Sequence, residues 1–283
     1  MSTIEKAGLI GKLKSMKILD SAPLSVKAAL FGGALCAGAI LLIPSSAKAL
    51  NQFETPNTGG VPSALTFDGA GNLFEASGNS IIEITPGGVQ STFASGVFGI
   101  SGLAFNNAGD LFVSSGNSII EITPGGVRST FASGLRRLGQ LTFDSAGDLF
   151  TTIGSKVYEI TPDGTQSVFA SGLHHPSGLT FNSADDLFVE NAGRIYEYTP
   201  GGVQSTFASG LHKPSLLAFG SSGDLFVGDG NNIYEYTSGG VRSTFASEMN
   251  YSTLLAIQPV PEPSTLGLLA VGTIALLARC RRK

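Results

Sequence analysis

From Pro62 to Ser247 the hydrophobic and polar positions repeat every 38 residues, five times, without insertion or deletion. The pair Leu-Phe recurs at Leu73-Phe74, Leu111-Phe112, Leu149-Phe150, Leu187-Phe188 and Leu225-Phe226, and a solitary phenylalanine recurs at Phe93, Phe131, Phe169, Phe207 and Phe245. Within a unit, apolar and polar residues alternate with a period of two, which predicts half-buried strands. The third unit shows the grammar. Gln140–Phe143 alternates, Asp144–Asp148 is a turn cluster, and Leu149–Ile153 alternates again. Gly154-Ser155 breaks the chain, Lys156–Thr161 forms a third strand, Pro162-Asp163-Gly164 turns it, and Thr165–Phe169 forms a fourth. Proline presets φ and glycine accepts positive φ, so that last turn has a mechanism. No window has the 3.6-residue period of a helix.

Four short antiparallel strands in each unit describe the blade of a β-propeller. One blade alone exposes apolar side chains on both faces, and burying each is worth about 1.5–3 kcal/mol. Only neighbouring blades supply that cover, so the unit must repeat. The expected fold is all-β, a propeller of five four-stranded blades, or six with an incomplete last blade. Tyr251–Gln258 matches a first strand, with Leu255 and Ile257 in register with Leu217 and Phe219, and Leu50–Thr55 reads as a stray outer strand. A β-solenoid is the alternative, but it lacks this two-hairpin grammar. Gly178-Leu179-Thr180-Phe181, Asp186-Leu187-Phe188-Val189 and Arg194-Ile195-Tyr196-Glu197-Tyr198, with their counterparts, resemble NHL-type and gluconolactonase-type propeller repeats. That resemblance implies the fold and leaves activity open.

The two ends follow other rules. Lys6, Lys12, Lys14, Lys17 and Lys27 form a basic leader, Ala28 to Ile43 is an apolar run, and Ala47-Lys48-Ala49 is an A-x-A cleavage site. Residues 1–49 therefore read as an export signal, cleaved after Ala49, with an uncleaved anchor as the alternative. Residues 50–258 form the repeat domain, and 259–283 a tail. The tail runs Pro261-Glu262-Pro263, an apolar stretch from Leu266 to Ala278 expected to be helical, and Arg279-Cys280-Arg281-Arg282-Lys283. Cations closing an apolar run favour the cytoplasmic side of a membrane. These three parts closely resemble the PEP-CTERM sorting tail. The resemblance implies export, transient retention in the inner membrane and processing by an exosortase-type enzyme. Release to the cell surface or extracellular matrix follows, often in producers of exopolysaccharide. A permanent tail anchor is the other reading.

The ends also change the charge. The whole chain has 17 Lys plus Arg against 21 Asp plus Glu, a formal −4, whereas residues 50–258 contain 18 acidic and 7 basic residues, a formal −11. So acidic a body argues against nucleic acid as a partner. Both cysteines, Cys36 and Cys280, lie outside the repeats, which excludes a disulfide framework.

Candidate chemistry lies where the copies disagree. In a blade, the loop before the first strand and the turn between the second and third strands share one face. The turns of the other face are nearly copied, as in Thr-Pro-Gly-Gly at 85–88, 123–126 and 199–202. The loops of the first face differ: Phe98-Gly99-Ile100, Arg136-Arg137-Leu138, His174-His175-Pro176 and His212-Lys213-Pro214. Arg136, Arg137, His174, His175, His212, Lys213 and the Asp229 loop are thus expected on one rim, suited to an anionic sugar, another acidic ligand or an envelope protein. Ordinary loop decoration is the alternative. No catalytic residue, metal ligand set or required cofactor is read from the sequence, and no nucleophile motif stands out. Gluconolactonase-type enzymes bind a divalent cation near the channel, which Glu75, Glu190, Asn191 and Asp229 could imitate, although their registers are scattered. The expected function is therefore an exported, non-catalytic binding module. A metal-dependent hydrolase or lyase and a purely structural matrix component are the alternatives.

Overall fold

The computed structural model describes residues 62–247, apart from Lys213 and Ser221, and the backbone of three further strands. The cleavage site at Ala47 and Ala49, the sorting residues Pro261, Glu262 and Pro263, and the apolar run of the tail lie outside the described residues. Two strands precede the repeats, β1 (Ala39–Pro44) and β2 (Asn51–Glu54). Blade 1 is β3 (Ala64–Phe67), β4 (Leu73–Ser77), β5 (Ser80–Ile84) and β6 (Gln90–Ser95). Blade 2 is β7 (Ile100–Phe105), β8 (Leu111–Ser115), β9 (Ser118–Ile122) and β10 (Arg128–Ala132). Blade 3 is β11 (Leu138–Phe143), β12 (Leu149–Ile153), β13 (Lys156–Ile160) and β14 (Gln166–Ala170). Blade 4 is β15 (Leu179–Phe181), β16 (Leu187–Asn191), β17 (Arg194–Tyr198) and β18 (Gln204–Ser209). Blade 5 is β19 (Pro214–Phe219), β20 (Leu225–Asp229), β21 (Asn232–Tyr236) and β22 (Arg242–Ala246), and β23 (Leu254–Gln258) follows. Each blade is a four-stranded antiparallel sheet in chain order. The chain is a β-propeller of five such blades.

The solitary phenylalanine of each unit marks a β-bulge. In blade 2, Thr130 faces Ile120 and Ala132 faces Ile119, so Phe131 has no partner across the ladder. The same skip falls at Phe93, Phe169, Phe207 and Phe245. A bulge interrupts the alternation of side chains, and here it puts two consecutive residues, such as Phe131 and Ala132, into one core cluster. Phe131 then meets Phe112 of the Leu-Phe pair edge-on at 4.9 Å, and Phe112 meets Phe143 of the next blade at 5.0 Å. Phe74, Phe150 and Phe188 repeat this relay. Edge-to-face pairs add about 0.5–1.5 kcal/mol each beyond burial. The two sequence markers are thus the two ends of one contact within a blade, and that contact is passed on to the next blade.

The innermost strands pack very closely. A Cβ on Gly102 of β7 would lie 2.8 Å from the Gly139 carbonyl oxygen of β11. These inner strands form a closed circuit, in which β3, β7, β11, β15 and β19 touch in turn, and β23 touches both β19 and β3. The ring therefore has a sixth member. β23 is its inner strand, β1 pairs parallel with β23, and β2 pairs antiparallel with β1. The sixth sheet has three strands, ordered β2-β1-β23. Ala39–Pro44, at the end of the leader's apolar run, is thus a strand. A six-residue apolar segment suits a strand as well as a helix, and pairing here covers the open edge of β23. Sheet closure also explains burial at the far side of blade 1, where Leu73 and Ile84 are both buried.

Candidate functional site

The rim face is built by short ties. Each rim loop donates a backbone N–H to the preceding blade's turn: Leu135 to the Asn117 carbonyl at 2.9 Å, Leu173 to Ser155 at 3.1 Å, and Leu211 to Gly193 at 3.1 Å. In blades 2, 4 and 5 the last residue of the second strand supplies a further tie from its side chain. The Ser115 hydroxyl donates to the Phe98 carbonyl at 2.8 Å. Asn191 Oδ1 accepts the His174 N–H at 2.5 Å. Asp229 accepts the His212 N–H at 3.0 and 3.1 Å through its two oxygens. Asp229 is buried and directed at backbone, so it holds a loop in place. Blade 3 has Ile153 at this position, and no such side-chain tie reaches Arg136 and Arg137.

Of the residues expected on the rim, Arg137, His174 and His175 come together. They line one cleft of about 610 Å³ between blades 3 and 4, with Thr152, Ser155 and Ser177. Arg136 is exposed beside this cleft but does not line it, and His212 is exposed at the next junction. Lys213 lies outside the described residues. Phe98 holds the equivalent position at the junction of blades 1 and 2 and is 65% exposed.

The backbone at the cleft is unusual. Arg137 and His175 have φ of 60° and 56°, in the left-handed region. The equivalent residue between blades 1 and 2 is Gly99, with φ of 64°. The loop geometry thus favours glycine, and a side chain with a Cβ costs about 1–2 kcal/mol there. The two junctions that carry Arg137 and His175 accept that strain, and both residues face the same cleft.

Behind Ser177 lies a buried carboxylate. Glu190 is 3% exposed, accepts a short hydrogen bond from the Ser177 hydroxyl, and accepts the Gly193 N–H at 3.2 Å. Burial pushes its carboxyl up from the ordinary value, the nearby Asp229 pushes it further, and the hydrogen bonds oppose both. Ser177 and Thr152 are site residues that the sequence pattern did not single out. The copies disagree at Thr152, which stands against Ala76, Ser114, Glu190 and Gly228, but Ser177 repeats Ser63, Ser101 and Ser215, so nothing in the repeat marked it. Glu75 in blade 1 is 2% exposed, and its Oε1 has no hydrogen-bond partner among the described residues. Desolvation raises its carboxyl to about 7. Glu75, Glu190 and Asp229 sit in blades 1, 4 and 5. Among the described residues no group of three His, Cys, Asp or Glu side chains is placed to hold a metal ion. The central funnel, about 750 Å³, is lined by inner strands from Ala64 to Leu217, and its polar groups are chiefly backbone, threonine and turn residues.

Comparison with known proteins agrees with this architecture. Residues 259–283 match the PEP-CTERM protein-sorting motif. This motif marks an exported protein held at the membrane by its C-terminus before processing, and implies recognition by an exosortase-type enzyme. No curated protein matches the chain. Among solved structures, virginiamycin B lyase from Staphylococcus aureus aligns at 21% identity and TM-score 0.57, over 69% of this chain and 73% of that one. A gluconolactonase from Xanthomonas campestris aligns at 17% identity and TM-score 0.59, over 67% and 76%. Regucalcin, a calcium-binding protein from Agrobacterium tumefaciens, aligns at 14% identity and TM-score 0.61, over 78% and 84%. At these identities the likeness defines a shared propeller fold.

Proposed function

We propose that this exported propeller is a binding module of the cell surface or extracellular matrix, and that the cleft of Arg137, His174 and His175 takes an anionic ligand of the acidic-polysaccharide class. The observation that supports it most is the left-handed backbone at Arg137 and His175. Non-glycine residues held in sparsely populated backbone regions gather at functional sites, where the strain serves a role. An arginine fork, two imidazoles and the hydroxyls of Thr152 and Ser155 offer the donors that a carboxylated sugar needs. The acidic body elsewhere repels such a ligand and so favours the cationic rim. The leader, kept as an uncleaved anchor so that Ala39–Pro44 stays paired with β23, and the sorting motif at Pro261, Glu262 and Pro263 deliver the propeller there.

Binding of the full-length chain to a polyuronate, followed by calorimetry, tests this reading. The triple variant Arg137→Gly, His174→Ala, His175→Gly should lose at least about tenfold in affinity, and the wild-type affinity should fall with salt. Unchanged binding in the variant removes the cleft from consideration. The second reading, a metal-dependent hydrolase or lyase, draws on the shared fold of the gluconolactonase and lyase structures. Turnover of a lactone that requires a divalent cation and is lost in Glu190→Gln would favour it.

A further inference from the structure

The ring closes on the strand that leads into the sorting tail, and this fixes which face leaves toward the membrane. β23 is the sixth inner strand, lying against both β19 and β3. It stands 38 residues beyond Leu216–Gly220, so it repeats the course of β19. β19 starts at Pro214, next to the rim loop of His212, and ends at Phe219, next to the copied turn closed by the Gly220 N–H to Asp224 carbonyl bond of 2.9 Å. By the same course β23 starts at the rim face and delivers Gln258 to the face of the copied turns. The PEP-CTERM motif begins at the next residue, 259.

We infer that, before processing, the propeller stands at the membrane with its copied-turn face toward the bilayer and its variable rim turned away. The length of the tether decides between this arrangement and its inverse. Seven residues, 259–265, separate β23 from the apolar run that starts at Leu266. Fully extended they span about 25 Å. To present the rim to the bilayer, the tether would first cross the three-stranded sixth sheet from inner to outer strand, two spacings or about 10 Å, and then climb the depth of a five-residue strand, about 17 Å. That detour uses more than the full tether before any lipid is reached. The inverse arrangement is therefore closed to the anchored chain.

The membrane-facing side is acidic. Asp68, Asp110, Asp144, Asp148, Asp163, Asp186 and Asp224 all belong to the copied turns. Carboxylates oppose close approach to an anionic leaflet, so this face holds off the lipid and leaves the sorting motif open to its enzyme. The rim cleft meanwhile faces the aqueous side throughout. The orientation follows from the fold and the tether and does not depend on what the rim binds.

Energy transfer to a headgroup-labelled lipid tests it. The full-length chain, with Cys36→Ser and Cys280→Ser, is reconstituted in phosphatidylethanolamine–phosphatidylglycerol vesicles and labelled at one of two exposed sites. Ala108→Cys lies in a copied turn and Asn117→Cys in a rim-side turn. Transfer from position 108 should exceed that from position 117 severalfold, and protease release of the propeller should abolish both. Equal transfer, or more from position 117, overturns the inference. A second variant adds about 20 Gly/Ser residues between Gln258 and Pro259, a flexible linker whose reach exceeds the detour. The two efficiencies should then converge. A difference that persists would mean that the tether does not set the orientation, and would overturn the argument as well.

Discussion

Blade 1 and blade 4 are copies of one sequence, and each buries a single glutamate in its second strand, one position apart in register. Glu75 occupies the place of Val113, Val189 and Val227, on the side of blade 1 covered by the sixth sheet. Glu190 occupies the place of Ala76, Ser114, Thr152 and Gly228, where the other blades carry a small residue. Both carboxyls are pushed up by burial. Glu190 has Ser177 and Gly193 as donors, whereas Glu75 Oε1 has no partner among the described residues. A buried polar group is tolerated when it is hydrogen-bonded and destabilises when it is not. The same residue type therefore strengthens one junction and weakens the other.

Removing Glu75 gives the largest expected effect. Its folded value of about 7 lies above the ordinary 4.5, so the proton is held more tightly in the native state. Stability is then full below 4.5 and is lost as pH rises through 7. Glu75→Val should raise unfolding free energy by about 3 kcal/mol at pH 8, and by far less at pH 4, in urea titrations at the two pH values. A loss of stability at pH 8 would mean that the carboxylate is needed at the closing seam, and the contrast with Glu190 would collapse. Glu190→Ala should act in the opposite sense, destabilising by about 2 kcal/mol through the orphaned Ser177 hydroxyl and Gly193 N–H. Amide exchange at Gly193 should accelerate with it. A gain in stability there would show that the two glutamates differ only in name.

The same comparison shows what the sequence could reveal. Blades were legible because packing is periodic. Phe74 and Phe93 recur at fixed spacing because each pair must meet edge-on at a bulge and then reach Phe105 of the next blade. The bulge itself was not legible, since one unpaired residue leaves no gap in a perfect repeat. Rim loops were legible as positions where copies disagree, and Arg137, His174 and His175 do share a cleft. Asp229 and His212 share a hydrogen bond instead, because a side chain at the end of a second strand can turn to the loop backbone as readily as to solvent. The sixth sheet was only half legible. Leu255 and Ile257 announced β23, but its pairing with Ala39–Pro44 joins residues more than 200 positions apart and has no local signature.

Smaller effects refine the contrast at backbone level. Blade 4 turns through Ala192, with φ of 51°, where the other four blades have Gly78, Gly116, Gly154 and Gly230. Ala192→Gly should stabilise by about 1 kcal/mol without altering ligand binding. Arg137→Gly relieves the same kind of strain and should gain about as much, yet it should lose binding at the cleft. Thermal unfolding and calorimetry on the two variants separate strain that serves a function from strain that does not. If Arg137→Gly keeps full affinity, Arg137 belongs with Ala192.

The smallest effect tests whether the copied face obeys its own rule. In blade 1 Asp68 accepts from the Asn72 side chain at 2.8 Å, and in blades 2 and 4 Asn106 and Asn182 donate to Asp110 and Asp186 at 3.1 and 3.0 Å. Each pairs one amide with one carboxylate. Blade 3 sets Asp144 against Asp148, two carboxylates, although Asp144 still accepts the Asp148 N–H at 2.9 Å. Desolvation raises the Asp148 carboxyl, and Asp144, Glu159 and Asp163 raise it further. A raised carboxyl is a native-state penalty above its folded value, and the penalty fades as pH falls below the ordinary 3.8. Asp148→Asn restores the amide–carboxylate pair and should stabilise by about 0.5 kcal/mol at pH 7. The gain should shrink in 1 M salt, where screening acts over about 3 Å, and should be nearly absent at pH 3. A gain independent of both pH and salt would place its origin in the geometry of the turn, and the acidic character of this face would then have no energetic part in blade 3.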